Sequence, residues 1–197
     1  MNRVPRVLVV LLLALTALLA GCTSEESDDA APTSSSSDLD ALDTDLEPCG
    51  EQPDQPAADS DLPATVFECF GGGTLDLARA PGVPAVVNLW ASWCAPCREE
   101  LPLVQQLADV AGDQVQVLGL VSLDTAGPAA SFAADAGVTF PSAFDGEGEV
   151  LAALGLNNLP YTLFLAADGS VSFVQVGPVH SLEEFRQLVA GHLGVQL

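Results

Sequence analysis

The sequence predicts an α/β fold in three layers, a mixed central sheet with flanking helices. Three observations carry the prediction. Two near-continuous apolar runs, 85–90 and 115–122, read as strands at the centre of a sheet covered on both faces. Each run leads into a segment with helical spacing. The chain then closes with two strand-like runs joined by Asp168-Gly169 and a last helix, so an antiparallel pair completes a strand–helix–strand–helix unit.

The elements follow in order. Residues 65–69 are a short strand candidate and 74–77 a short strand or turn, on either side of Gly71-Gly72-Gly73, a turn that lacks the lysine and spacing of a phosphate loop. After the strand at 85–90, residues 96–111 read as a helix, with Leu101, Val104, Leu107 and Ala108 recurring at three and four. Gly112 suits its end. Pro102 is expected to kink it, because proline lacks the N–H and crowds the turn before. The next strand spans 115–122, and a short helix spans 128–136, closed by Gly137. Residues 150–154 form a further helical turn. The strands of the hairpin are 161–166 and 171–176. Ser181-x-x-Glu184 is a capping box that opens the final helix, which presents Leu182, Phe185, Leu188 and Val189 and is expected to end at Gly191.

The folded domain is placed at 62–197, after two extensions. Residues 1–21 carry Arg3 and Arg6, then an apolar stretch interrupted only by Thr16, which is short for a membrane span and reads as an export signal. Leu19-Ala20-Gly21-Cys22 resembles a bacterial lipobox. That resemblance implies an acylated Cys22 as the mature N-terminus, and hence a lipid-anchored protein on the extracytoplasmic face of the cell membrane. Residues 22–61 are acidic and rich in Ser and Pro, and are expected to be a disordered tether that becomes ordered near Cys49. The chain holds 27 acidic side chains against 5 basic ones, all arginine, for a formal net charge of −22. This excludes nucleic acid as a partner and leaves no charge-driven route to anionic lipid.

Trp93-Cys94-Ala95-Pro96-Cys97 places two thiols where a strand ends and a helix begins. A helix N-terminus favours a thiolate, the species that attacks disulfides. A second thiol three residues on can release the mixed disulfide so formed. A structural zinc site would want a second such pair or nearby histidines, and His180 and His192 stand in no such motif. No cofactor is expected. Export sets the remaining cysteines in an oxidising compartment. Three pairings of Cys49, Cys69, Cys94 and Cys97 are open. Cys49–Cys69 is the expected structural disulfide, which leaves the other pair free to cycle.

The stretch from Asn88 to Pro102, with its Trp-Cys-Ala-Pro-Cys centre, resembles the thioredoxin-like proteins of the TlpA/ResA type. Leu159-Pro160-Tyr161, followed by Leu163-Phe164-Leu165 and Asp168-Gly169, is similar to the second landmark of that family. The likeness implies a thioredoxin-like fold and a membrane-tethered thiol–disulfide oxidoreductase. It implies that Cys94 is the exposed nucleophile, Cys97 the resolving thiol, Glu100 a buried proton acceptor, and Pro160 a cis-proline facing the pair. Trp93, Leu159 and Tyr161 would line the substrate groove. Asn88 stands where plain thioredoxins carry a buried aspartate, which throws proton handling onto Glu100. The implied partners are exported proteins with disulfides, apocytochrome c among them, and a membrane thiol reductase as electron donor. Two other functions compete. One is a thiol peroxidase, which wants Thr-x-x-Cys where this chain has Ala91. The other is a non-catalytic binding or metal-delivery module.

Overall fold

The computed structural model describes residues 39, 42–58 and 61–197. The export segment, Cys22 and much of the expected tether lie outside the described residues. Seven strands are described: β1 Val66–Glu68, β2 Thr74–Asp76, β3 Ala85–Trp90, β4 Gln116–Ser122, β5 Ser142–Asp145, β6 Tyr161–Leu165 and β7 Val171–Val176. The helices are α1 Ala95–Ala111, α2 Ala126–Asp135, α3 Glu149–Ala153 and α4 Leu182–Leu193.

The central sheet runs β5-β4-β3-β6-β7. Its β3–β4 and β4–β5 pairs are parallel, and its β3–β6 and β6–β7 pairs are antiparallel. β3 is buried at all six positions, which is why its sequence is apolar without alternation. Its side chains still alternate between two cores. Val86 and Trp90 face the layer built by α1, α2 and α4, with Leu101, Ala129 and Phe185. Val87 and Leu89 face the other layer, made of the β1–β2 hairpin and α3, with Phe67, Leu75, Val150 and Leu151. The predicted three-layer architecture is the one observed.

α1 runs through Pro102 to Ala111, the span the sequence predicts. Two local readings are corrected. β5 Ser142–Asp145 is a strand where the sequence predicts none. The last helix passes Gly191 and stops at Gly194, whose φ of 71° is the left-handed conformation that ends helices. The Ser181 cap forms: Ser181 Oγ accepts from the Glu184 N–H at 3.1 Å, and a Glu184 carboxylate oxygen accepts from the His180 N–H at 3.0 Å.

The packed unit also reaches upstream of the expected boundary at residue 62. Leu39 and Leu46 are buried in the helical layer, and Cys49 in the other. The segment 42–58 is irregular and is held mainly by main-chain bonds. The Glu47 N–H donates to the Thr139 carbonyl at 2.8 Å, the Cys49 N–H to Gly72 at 2.9 Å, and the Ala58 N–H to Asp168 at 2.8 Å. Gln52 exchanges two hydrogen bonds with the backbone of Asp76, at 2.9 and 2.7 Å. Cys49 is joined to Cys69 by a disulfide with Cα atoms 6.0 Å apart. Composition alone reads this stretch as tether, because little of its hold comes from apolar burial.

Candidate active site

The site grows from the junction of β3 and α1. β3, the central strand, ends at Trp90, and α1 starts at Ala95 with Pro96 in its first turn, where a missing N–H costs nothing. Cys94 is the N-cap: its Sγ accepts from the Cys97 N–H at 3.3 Å. The first turn of α1 holds no acid, so the partial positive charge of the helix end acts on that sulfur undiluted. Cys94 and Cys97 form a disulfide with Cα atoms 5.3 Å apart. In this oxidised form Cys94 is only 4% exposed and Cys97 is fully buried. The exposed nucleophile expected at Cys94 is thus covered, because its sulfur is turned inward to Cys97.

Trp93 is 59% exposed beside the pair, and its Nε1–H donates to the Leu123 carbonyl at 2.8 Å. Leu123 is itself an exposed apolar residue, with a φ of 55° that is uncommon for a side chain of its size. The next residue, Asp124, accepts the Ser92 N–H at 2.6 Å. The loop after β4 therefore grips the residues that lead into Cys94 at two points. Arg98 lies one residue beyond the pair, with its guanidinium over the Phe132 ring at 4.4 Å and a hydrogen bond to the Ser92 carbonyl at 3.2 Å.

Glu100 lies three residues past Cys97 on α1 and is 1% exposed. One carboxylate oxygen accepts the Val179 N–H at 2.7 Å, and the other accepts from Asn88 Nδ2 at 3.0 Å. Asn88 Nδ2 also donates to Thr162 Oγ1 at 3.0 Å. Burial pushes the Glu100 carboxyl above the ordinary carboxylate value of 4.5; the bonds from Val179 and Asn88 and the charge of His180 oppose that, and Glu184 adds to it.

Pro160 is buried and follows a cis peptide bond from Leu159, which is half-buried between the two cores. Tyr161 does not line a groove with its ring. It is 4% exposed and belongs to the core on the opposite face of the sheet from α1, where its hydroxyl meets Asn158. The cause is strand alternation: Thr162, not Tyr161, points toward Asn88. Thr162, Val179, Leu123 and Asp124 were not among the site residues read from the sequence. Thr162 could have been found by period-two counting from Pro160. The other three are brought in by tertiary contacts that leave no local pattern.

A cysteine pair across the first turn of a helix, with a buried carboxyl one turn on, is equipped to take two electrons from thiols when oxidised and to give two to disulfides when reduced. The chain belongs to the Redoxin family, whose profile matches residues 57–189. Its relatives make it a thiol–disulfide oxidoreductase of the ResA and DsbE type. It is similar to the thiol-disulfide oxidoreductase ResA of Bacillus subtilis (strain 168), with 29% identity over 119 residues, covering 60% of this chain and 66% of that one. It is similar to the thiol:disulfide interchange protein DsbE homolog of Paracoccus denitrificans (strain Pd 1222), with 34% identity over 107 residues, covering 54% and 57%. Among solved structures it resembles a secreted Mycobacterium tuberculosis disulfide oxidoreductase homologous to E. coli DsbE, with a TM-score of 0.56, 26% identity, and coverage of 70% of this chain and 98% of that one. No described helix is long and apolar enough to cross a membrane.

Proposed function

We propose that this chain is a lipid-anchored, extracytoplasmic oxidoreductase that reduces disulfides of exported client proteins through Cys94 and Cys97. The observation that carries the reading is the Cys94–Cys97 disulfide at the start of α1, with Glu100 buried three residues on in the same helix. In the reduced protein the Cys94 thiolate attacks one sulfur of a client disulfide. The client S–S bond breaks, a Cys94–client bond forms, and one client sulfur leaves as thiolate. Cys97 gives its proton to Glu100 and attacks the Cys94 sulfur. The second client thiolate leaves, and the Cys94–Cys97 disulfide remains. The client has gained two electrons from the pair, and a membrane thiol reductase supplies two more to regenerate the Cys94 and Cys97 thiols. Trp93 and the Leu159–Pro160 segment form the rim against which an extended client docks. Cys22, through its lipid, keeps the domain at the membrane surface. Apocytochrome c, with its paired cysteines, is the client class the family likeness favours.

Cys97→Ser tests this directly. The variant should accumulate a mixed disulfide between Cys94 and its client in cell envelopes, visible on non-reducing gels and abolished by Cys94→Ala. Absence of any trapped species would remove Cys94 from its role as nucleophile. A reduction potential near the strong-oxidant value of about −120 mV would reverse the direction assigned. Cys22→Ala should release the protein from membranes.

A further inference from the structure

The buried polar group behind the redox pair extends beyond Glu100. β3 and β6 are registered so that Asn88 lies opposite Thr162, and both side chains are fully buried. Asn88 Nδ2 lies 3.0 Å from a Glu100 carboxylate oxygen and 3.0 Å from Thr162 Oγ1. An amide nitrogen carries two protons, and both are committed by these contacts. Asn88 Oδ1, equally buried, meets no hydrogen-bond partner among the described residues. The amide thus divides its donor side between Glu100 and Thr162 and leaves its acceptor side unsatisfied. Turned over, it would set one acceptor against another whenever the carboxyl is charged.

We propose that Asn88 and Thr162 are positioning residues: Thr162 takes one proton of the Asn88 amide and so keeps the other aimed at Glu100, and the amide held this way governs how tightly the carboxyl holds its proton. The proposal rests on the reading of Glu100 as proton acceptor for Cys97. Donors from Asn88 and Val179 favour the carboxylate, against the burial that favours the acid. The other groups acting on Glu100 are His180, in the loop before α4, and Glu184 on α4. Among the described residues, β3 presents the uncharged Asn88 as its hydrogen-bonding neighbour, and the uncharged Thr162 on β6 bonds that amide in turn. On α1 itself the redox pair and Arg98 precede it. Without the amide the acceptor would hold its proton to higher pH, and Cys97 would be slower to lose its own near neutrality.

The test reads the carboxyl itself. The side-chain carboxyl carbon of Glu100 is titrated by NMR in the full chain with the Cys94–Cys97 disulfide intact, and assigned with Glu100→Gln. Asn88→Ala should raise the midpoint by about one to two pH units, a roughly 10- to 100-fold tighter proton, as loss of a hydrogen bond to a charged group implies. Thr162→Val should move it the same way by less, and Thr162→Ser should restore it. An unmoved midpoint in folded Asn88→Ala overturns the proposal. Should Asn88→Ala not fold, equal midpoints in Thr162→Val and Thr162→Ser overturn it. The titration needs no turnover, so it stands apart from the exchange reaction. If Glu100→Gln leaves the pH profile of exchange unchanged while Asn88→Ala shifts the carboxyl, the proton-acceptor reading fails and the positioning assignment stands.

Discussion

Removal of the Cys49–Cys69 disulfide by a double Cys→Ala substitution should cost about 3 kcal/mol. The bond links residues 20 apart in sequence, and the loop-closure entropy it removes from the unfolded chain has that magnitude. Alanine keeps both Cβ atoms, so the folded state loses only two sulfurs from positions 9% and 3% exposed. For a domain of this size each kcal/mol shifts the melting temperature by about 2–4 °C, which gives a fall of about 6–12 °C. Calorimetry of the variant beside the parent protein, both with Cys94–Cys97 oxidised, measures it. The variant should also become sensitive to limited proteolysis between residues 42 and 58, because that segment then depends on scattered main-chain bonds such as Glu47 to Thr139 and Ala58 to Asp168. A melting temperature within about 2 °C of the parent would refute the reasoning. It would mean that the segment is held in the unfolded chain too, or that its packing adds no cooperativity.

Two further outcomes follow from buried groups. Burial raises the carboxyls of both Glu100 and Asp145, so the folded state binds their protons more tightly than the unfolded one. The stability each contributes is full below the unfolded values of 4.5 and 3.8 and is lost as pH rises through the folded ones. Urea midpoints measured from acid to neutral pH should therefore fall less steeply in Glu100→Gln than in the parent, and identical slopes would count against a raised Glu100. Gly119→Ala should destabilise by about 1–3 kcal/mol, the cost of overpacking a filled core. Its Cβ would lie 2.3 Å from Ser142 Oγ and 2.8 Å from Trp90 Nε1. Denaturant unfolding reads this loss, and a neutral result would show that β5 can move aside.

The parts legible in the sequence were those whose burial is apolar and periodic. β3 and β4 declare themselves by unbroken runs, and α1 by Leu101, Val104 and Leu107, all fully buried. β5 was illegible because its polar ends are buried through particular partners. Ser142 Oγ donates to the Phe140 carbonyl at 3.4 Å. Asp145 accepts from Ser122 and from the Glu149 and Val150 N–H groups at the start of α3, at 3.3, 2.7 and 3.2 Å. A four-residue strand with serine and aspartate at its ends reads as loop. The redox motif was visible by spacing, and Glu100 and Pro160 by family likeness. The motif sets Tyr161 beside the groove, whereas strand alternation turns its ring into the opposite core. The contributions of Val179 and Asp124 are main-chain and capping bonds across the fold, which no local pattern announces.

The clamp at Cys49 also decides how the protein bears mechanical load. A pull on the chain upstream of residue 42 peels the strand-free residues first and then arrives at Cys49. From there the tension crosses the sulfur–sulfur bond to Cys69, just past β1, and bypasses residues 50–68. The contacts of Gln52 with Asp76 and of Ala58 with Asp168 carry none of it. With the bond reduced, the same pull could draw out the bypassed loop, adding on the order of 60 Å of contour at about 3.3 Å per residue. The redox state of the buried pair would then set how far the domain can stand from whatever holds its N-terminus.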